Sequence, residues 1–225
     1  AFSSAHDIGA TRIIPEERWK HFYGNVKSIK VKPTPKAAPT DKETVADVMS
    51  IEYAKPFFDS AGKVEKVLVG GIFLNRNFRF IDKMVDTVFE NKLYEGKPVG
   101  TITIFQDDVR VATNVLDKQG KRAIGTRVSE EVYTKVVEKK GRWYSRAFVV
   151  TDWYLTAYEP IRNADGEVIG ILYVGVLERP FLNIKNSYYL TLLVIVGAAC
   201  VISVVLSLFL AKSISEHIKK ILKTT

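Results

Sequence analysis

Arg146 lies inside RWYSRAFVV (142–150), a run of apolar and aromatic strand formers in which a guanidinium must find a partner or a cavity. The next run, WYLTAYEPI (153–161), sets Tyr154, Thr156 and Tyr158 at alternate positions, and so on one face of a strand. A planar cation with hydroxyl donors in a partly dry site is the equipment for holding a small carboxylate or similar anion. These four residues are the leading ligand candidates. Asn114 and Arg122 are secondary ones, placed where a strand enters the following loop. The alternative is an ion pair from Arg146 to Glu159 on the neighbouring strand. Register decides between them. A two-residue turn at Thr151-Asp152 puts Arg146 beside Phe148 and Leu155, away from the Tyr/Thr face; one residue more puts it with them. Both registers stay open.

No catalytic constellation accompanies these residues. The sequence has no G-x-S-x-G, H-E-x-x-H or G-x-x-x-x-G-K, and no cysteine near a histidine. Asp107 and Asp108 are adjacent, so on a strand they would point to opposite faces; they read as a turn. The lone Cys200 permits neither an internal disulfide nor a thiolate cluster, and no C-x-x-C-H is present for haem. His6, His21 and His217 are far apart and read as surface residues rather than metal ligands. The expectation is a non-enzymatic chain without cofactor or metal. The net charge of +8 is scattered, with no basic block, which argues against nucleic acid as a partner.

The elements that position the candidates read as helix, two strands, helix, three strands. Phe78–Tyr94 has apolar residues at helical spacing. Thr101–Asp108 and Arg110–Val115 flank a tight turn, and Val128–Lys139 forms a short amphipathic helix. Three strands follow over 142–150, 153–161 and 168–176. The fold class is α+β, with an antiparallel sheet of about five strands and flanking helices. Ahead of it, Ile14-Pro15-Glu16-Glu17 reads as a helix start and KPTPKAAP (32–39) as an exposed connector. Two stretches are alike: Tyr53–Leu74 and Tyr158–Val176 each run strand, Pro, Gly-bearing turn, apolar strand. The likeness suggests two copies of one module, the first incomplete.

Asn186 to Ala211 carries no charge and is longer than the ~20 apolar residues that cross a bilayer. Tyr188 and Tyr189 mark its start, and Lys212, Lys219, Lys220 and Lys223 follow its end, which the positive-inside rule assigns to the cytoplasm. Residues before about 186 are therefore expected outside the cytoplasm of a bacterial inner membrane. An upstream first span is expected too, since no N-terminal segment reads as an export signal.

Three segments resemble the Cache family, the PAS-like extracytoplasmic sensors of bacterial chemoreceptors and histidine kinases: GGIFLNRNFRFIDKMVDTVF (70–89), TITIFQDDVRVATNVLDKQGKRAIGTRVS (101–129) and GRWYSRAFVVTDWYLTAYEPIRNADGEVIGILYVGV (141–176). The nearest likeness is to double-unit versions. It implies an incomplete distal unit over 1–76, a connecting helix over 77–95 and a membrane-proximal Cache domain over 96–182. A membrane helix over 186–211 and the start of a HAMP linker over 212–225 follow, with His217 where that linker usually has proline. The resemblance also implies a ligand pocket on one sheet face beneath Leu116–Arg127, and a homodimer. Signalling in chemotaxis or a two-component system would pass to an output domain outside this chain.

Overall fold

The computed structural model describes residues 8–20, 28–149 and 152–222; His6, His21 and the turn residue Thr151 lie outside them. In chain order the elements are β1 (Ile8–Ile14), α1 (Glu16–Trp19), β2 (Ile29–Lys30), β3 (Thr44–Val45), β4 (Val48–Phe58), β5 (Val64–Phe73) and α2 (Phe78–Phe89). Then come β6 (Leu93–Tyr94), β7 (Lys97–Pro98), β8 (Gly100–Gln106), β9 (Val109–Thr113) and α3 (Glu130–Tyr133), which continues as a π-helical turn over Thr134–Glu138. β10 (Trp143–Val149), β11 (Asp152–Arg162), β12 (Val168–Leu177) and α4 (Arg179–Leu222) complete the chain. The fold is α+β, built on a five-stranded antiparallel sheet in the order β10-β11-β12-β8-β9. A three-stranded sheet, β1-β4-β5, precedes it.

α2 starts where the Asn77 side chain accepts from the Phe80 N–H (3.1 Å). It buries Ile81 and Val85, as the periodicity predicts. It stops earlier than the predicted Tyr94. Glu90 and Asn91 both take left-handed backbone (φ 54° and 50°), which ends the helix and frees Leu93–Tyr94 to pair as β6 with β7.

Two cores flank the five-stranded sheet. On one face Ile102, Ile104, Val111 and Ala112 meet Ile81 and Val85 of α2, together with Ile29, Val45, Met49 and Leu74 from the N-terminal third. On the other, Phe105, Ile171, Tyr154, Tyr158 and Tyr173 meet Val128, Val132 and Val136 from α3 and the π turn. Residues 1–177 form one compact unit.

The hairpin likeness seen in the sequence extends to its geometry. Pro56 pairs with Val67 and Pro160 with Ile171; two residues on, each register shifts by one, at Phe57/Phe58 and at Ile161/Arg162. Each turn is held by one side-chain oxygen. Asp59 Oδ1 accepts from the N–H groups of Ala61 and Lys63, and Asn163 Oδ1 from those of Asp165 and Glu167, all at 2.9–3.0 Å. Gly62 and Gly166 follow with φ of 77° and 83°. The settings differ: β12 is central and half-buried, whereas β5 is an edge strand with Leu68 65% exposed.

The second unit, 178–225, contains α4. Its stretch Tyr188–Lys212 has 25 residues and a mean hydropathy of 2.9. At 1.5 Å per residue this spans about 37 Å, more than a hydrocarbon core of about 30 Å. Among the described residues it is the one helix long and apolar enough to cross a membrane.

Candidate ligand site: a buried arginine on the sheet face

β8 and β9 pair in simple alternation at Thr103–Thr113 and Ile104–Ala112; then Phe105 pairs with Arg110, leaving Val111 as an extra residue. Counting by twos from Thr113 would send Arg110 toward α2. The bulge returns it to the opposite face. There its guanidinium carbon lies 5.2 Å from the centre of the Phe105 ring.

Arg110 is 7% exposed, and its Nε–H makes no hydrogen bond. No carboxylate among the described residues pairs with it. Burial pushes its pKa down from the ordinary arginine value, against the opposing pull of the Tyr173 and Tyr158 hydroxyls. A buried cation without a counter-charge is costly, and the site supplies donors but no anion.

The surrounding face is regular. One row crosses all five strands: Trp143, Tyr158, Tyr173, Thr103, Thr113. Trp143 meets Tyr158 edge-on at 5.4 Å, and Tyr158 lies 4.9 Å from Tyr173. Burial drives the Tyr158 hydroxyl up to about 12, with Arg110 pulling the other way, and raises Tyr173 further. Tyr154 is raised by burial and then by the Asp152 charge. These phenols are therefore protonated donors at neutral pH. Several hydroxyls are committed: Thr103 to Thr113 (2.6 Å), Thr101 to Tyr173 (3.1 Å), and Thr156 to the Ser145 carbonyl (2.8 Å).

Tyr154, Thr156 and Tyr158 do share this face, all buried. Arg146 does not. Val149 pairs with Asp152, so Asp152 belongs to β11 rather than to the turn, and Arg146 stands opposite Leu155 on the reverse face. It is exposed there, 4.1 Å over the Trp153 ring. The proposed Arg146–Glu159 pair is absent as well, since Glu159 meets Arg142 Nε at 3.0 Å.

The two secondary candidates make contacts within the fold. Asn114 accepts from Ile102 N–H (2.8 Å) and donates to the Gly100 carbonyl (3.0 Å), closing the end of the sheet. Arg122 makes a two-pronged pair with Asp82 of α2 (2.8 and 2.9 Å) and lies 4.6 Å over the Phe78 ring. The loop expected to cover the pocket is thereby tied to α2. Asp107 and Asp108 form the predicted turn, Asp107 with φ 54°. Asp108 pairs with Arg127 (2.5 Å), which also donates to the Ala38 carbonyl in the Pro-rich segment.

Sequence reasoning passed over Arg110. The signal was available: the logic applied to Arg146 fits an arginine inside VRVAT equally well. Only the bulge, which leaves no mark in the alternation, tells which arginine faces inward.

A groove of about 890 Å³ runs along residues 30–43 and Arg127; Arg110 does not line it. Its charges at Lys30, Lys32, Asp41, Lys42 and Glu43 are solvated, so nothing there demands a counter-ion.

None of the curated proteins compared matches the chain. Among solved structures it is similar to rpHK1S-Z16, the extracellular domain of a protein assigned as a histidine kinase. The identity is 11% and the TM-score 0.31, over 73% of this chain and 59% of that one. The family model for single Cache domain 3 matches residues 72–188, more than half of the chain and the whole of the five-stranded sheet. The chain belongs to the Cache family of sensor domains.

Proposed function

We propose that this chain is the extracytoplasmic sensing portion, with its membrane helix, of a bacterial transmembrane receptor of the chemoreceptor or sensor-kinase type. Its ligand is a small carboxylate held on Arg110, with Tyr158 and Tyr173 beside it. The carrying observation is the buried guanidinium without an anion, on the face that also bears Tyr154 and Thr156. Binding would supply the missing charge and favour one conformation of the domain. α4 begins two residues after β12 ends, so little chain is available to absorb motion before the membrane span. In this reading residues before the span from Tyr188 lie outside an inner membrane, and the C-terminus, with the start of a HAMP-like linker, lies in the cytoplasm; the lysines after Ala211 support that orientation. The matched geometry of the two hairpins supports reading 1–76 as part of a second Cache-like unit joined through 77–95 to the unit at 96–182.

The test is a melting screen of the chain in lipid nanodiscs against small carboxylates, amines and sugars. Carboxylates should raise the melting temperature, and Arg110→Met should abolish the rise. If amines or sugars stabilise the wild type and carboxylates do not, the reading fails.

A second reading is favoured by β5, where Val64, Val67, Leu68, Val69 and Ile72 are exposed on an edge strand. It is a homodimerising or protein-docking module without catalysis. Concentration-independent monomers that retain no periplasmic partner would remove it.

A further inference from the structure

The five-stranded sheet has one end at which the chain leaves it for α4, and that end carries exposed aromatic side chains. We propose that this end rests on the membrane surface, with Phe148 and Trp153 in the interfacial layer of the bilayer. The inference rests on α4 crossing a bilayer and is independent of what the sheet face binds.

The strands are not flush there. Tyr154 is the partner of Leu177, the last residue of β12, and β11 begins two residues earlier, at Asp152. The β10–β11 ladder, with its Phe148–Trp153 and Val149–Asp152 pairs, therefore overhangs the end of β12 by about 7 Å. β7 projects at the same edge: the Leu177 N–H donates to the Val99 carbonyl (2.8 Å), and Lys97 lies two residues before it. Lys97 reaches the Asp152 carboxylate (2.6 Å), tying the two projections together.

The length of chain between sheet and span matches this overhang. α4 opens at Arg179, and Tyr188, where the apolar stretch starts, is nine residues on, about 14 Å of helix. The headgroup layer takes about 5–8 Å of that, half the difference between a bilayer's full thickness and its hydrocarbon core. About 6–9 Å of helix is left, comparable with the overhang.

The side chains suit an interface. Phe148 and Trp153 are both exposed and meet edge-on, with ring centres 5.5 Å apart. Leu93 on β6 is exposed as well. Arg146 lies 4.1 Å over the Trp153 ring, so a cation borders the apolar pair. In the headgroup layer an indole buries its ring and keeps its N–H wet, which neither water nor hydrocarbon allows. Charge favours a neutral surface. Within 90–98 Glu90 and Glu95 offset Lys92 and Lys97, and within 146–153 Asp152 offsets Arg146. The partner is the zwitterionic interface and not anionic lipid.

The experiment is tryptophan fluorescence of the full chain in phosphatidylcholine vesicles, with and without bromine on the upper acyl chain. Wild-type emission should fall in the brominated vesicles, and Trp153→Phe should remove most of that fall. Trp143→Phe should leave it, since Trp143 lies five positions from Phe148, about 17 Å along β10. Because Trp19 is buried, quenching that persists in Trp143→Phe identifies Trp153 even if Trp153→Phe does not fold. Adding phosphatidylglycerol should change none of this. An unquenched Trp153 overturns the inference, whether its emission is red-shifted in water or blue-shifted beneath a second copy of the chain, and leaves ligand sensing standing. Quenching only with phosphatidylglycerol overturns the neutral surface as partner. A chain that does not float with vesicles overturns both this inference and the reading of α4 as a span.

Discussion

Arg110 stands directly opposite Phe105 across the β8–β9 ladder, with its guanidinium carbon 5.2 Å from that ring's centre. An aromatic face is partial compensation for a buried cation, worth roughly 0.5–2 kcal/mol. It does not replace a counter-ion. The domain therefore carries a local instability that a bound anion would relieve.

Removing the charge should stabilise the empty protein. Arg110→Met keeps the length and packing of the side chain and abolishes the unmatched charge. The expected gain is about 1–3 kcal/mol, read from urea unfolding in the absence of carboxylates. A loss of similar size would mean that the guanidinium is already well compensated.

Deleting Val111 should leave Arg110 on its face. With the extra residue gone, Arg110 follows Ala112 directly, stays opposite Phe105 and still points away from α2. We expect a stability loss of about 1–3 kcal/mol from the lost buried Val111 side chain, read from urea unfolding, and an unchanged ligand response. Loss of the response would show that the bend of the bulge, and not strand alternation alone, aims this side chain.

Arg146→Ala should leave ligand response unchanged. Its side chain faces solvent over Trp153, so the expected stability change is below about 1 kcal/mol, measured by the same unfolding curves. A response weakened tenfold would return this residue to the site.

Asp107 provides a pH test. Burial, then the neighbouring Asp108, holds its carboxyl above the ordinary value of 3.8; Lys42, Tyr133 and Arg127 pull the other way without cancelling this. The folded chain thus binds this proton more tightly than the unfolded chain. Its charged form costs stability as pH rises from the unfolded value through the raised folded one. Asp107→Asn should melt at the same temperature as wild type below that window and higher above it. A variant that melts lower at pH 7 would reverse the sign.

Legibility followed locality. The strands at β8 to β12, the face shared by Tyr154, Thr156 and Tyr158, and the membrane span all come from short-range periodicity, which the sequence displays openly. Turn chemistry was legible for the same reason: Asp59 and Asn163 act on neighbours within four residues. What escaped was set by long-range pairing. Asp152 belongs to a strand because Val149 pairs with it. Arg122 is claimed by Asp82, forty residues away, and Asn114 by the end of β8. Arg110 was hidden by one unpaired residue.

That one residue also shows how such a sheet tolerates a change of length. Val111 is absorbed as a bulge, so the pairs on either side of it keep their partners and their faces. A codon gained or lost there leaves the interior guanidinium where it is, and lineages could drift in length at this point without disturbing what the sheet holds inside.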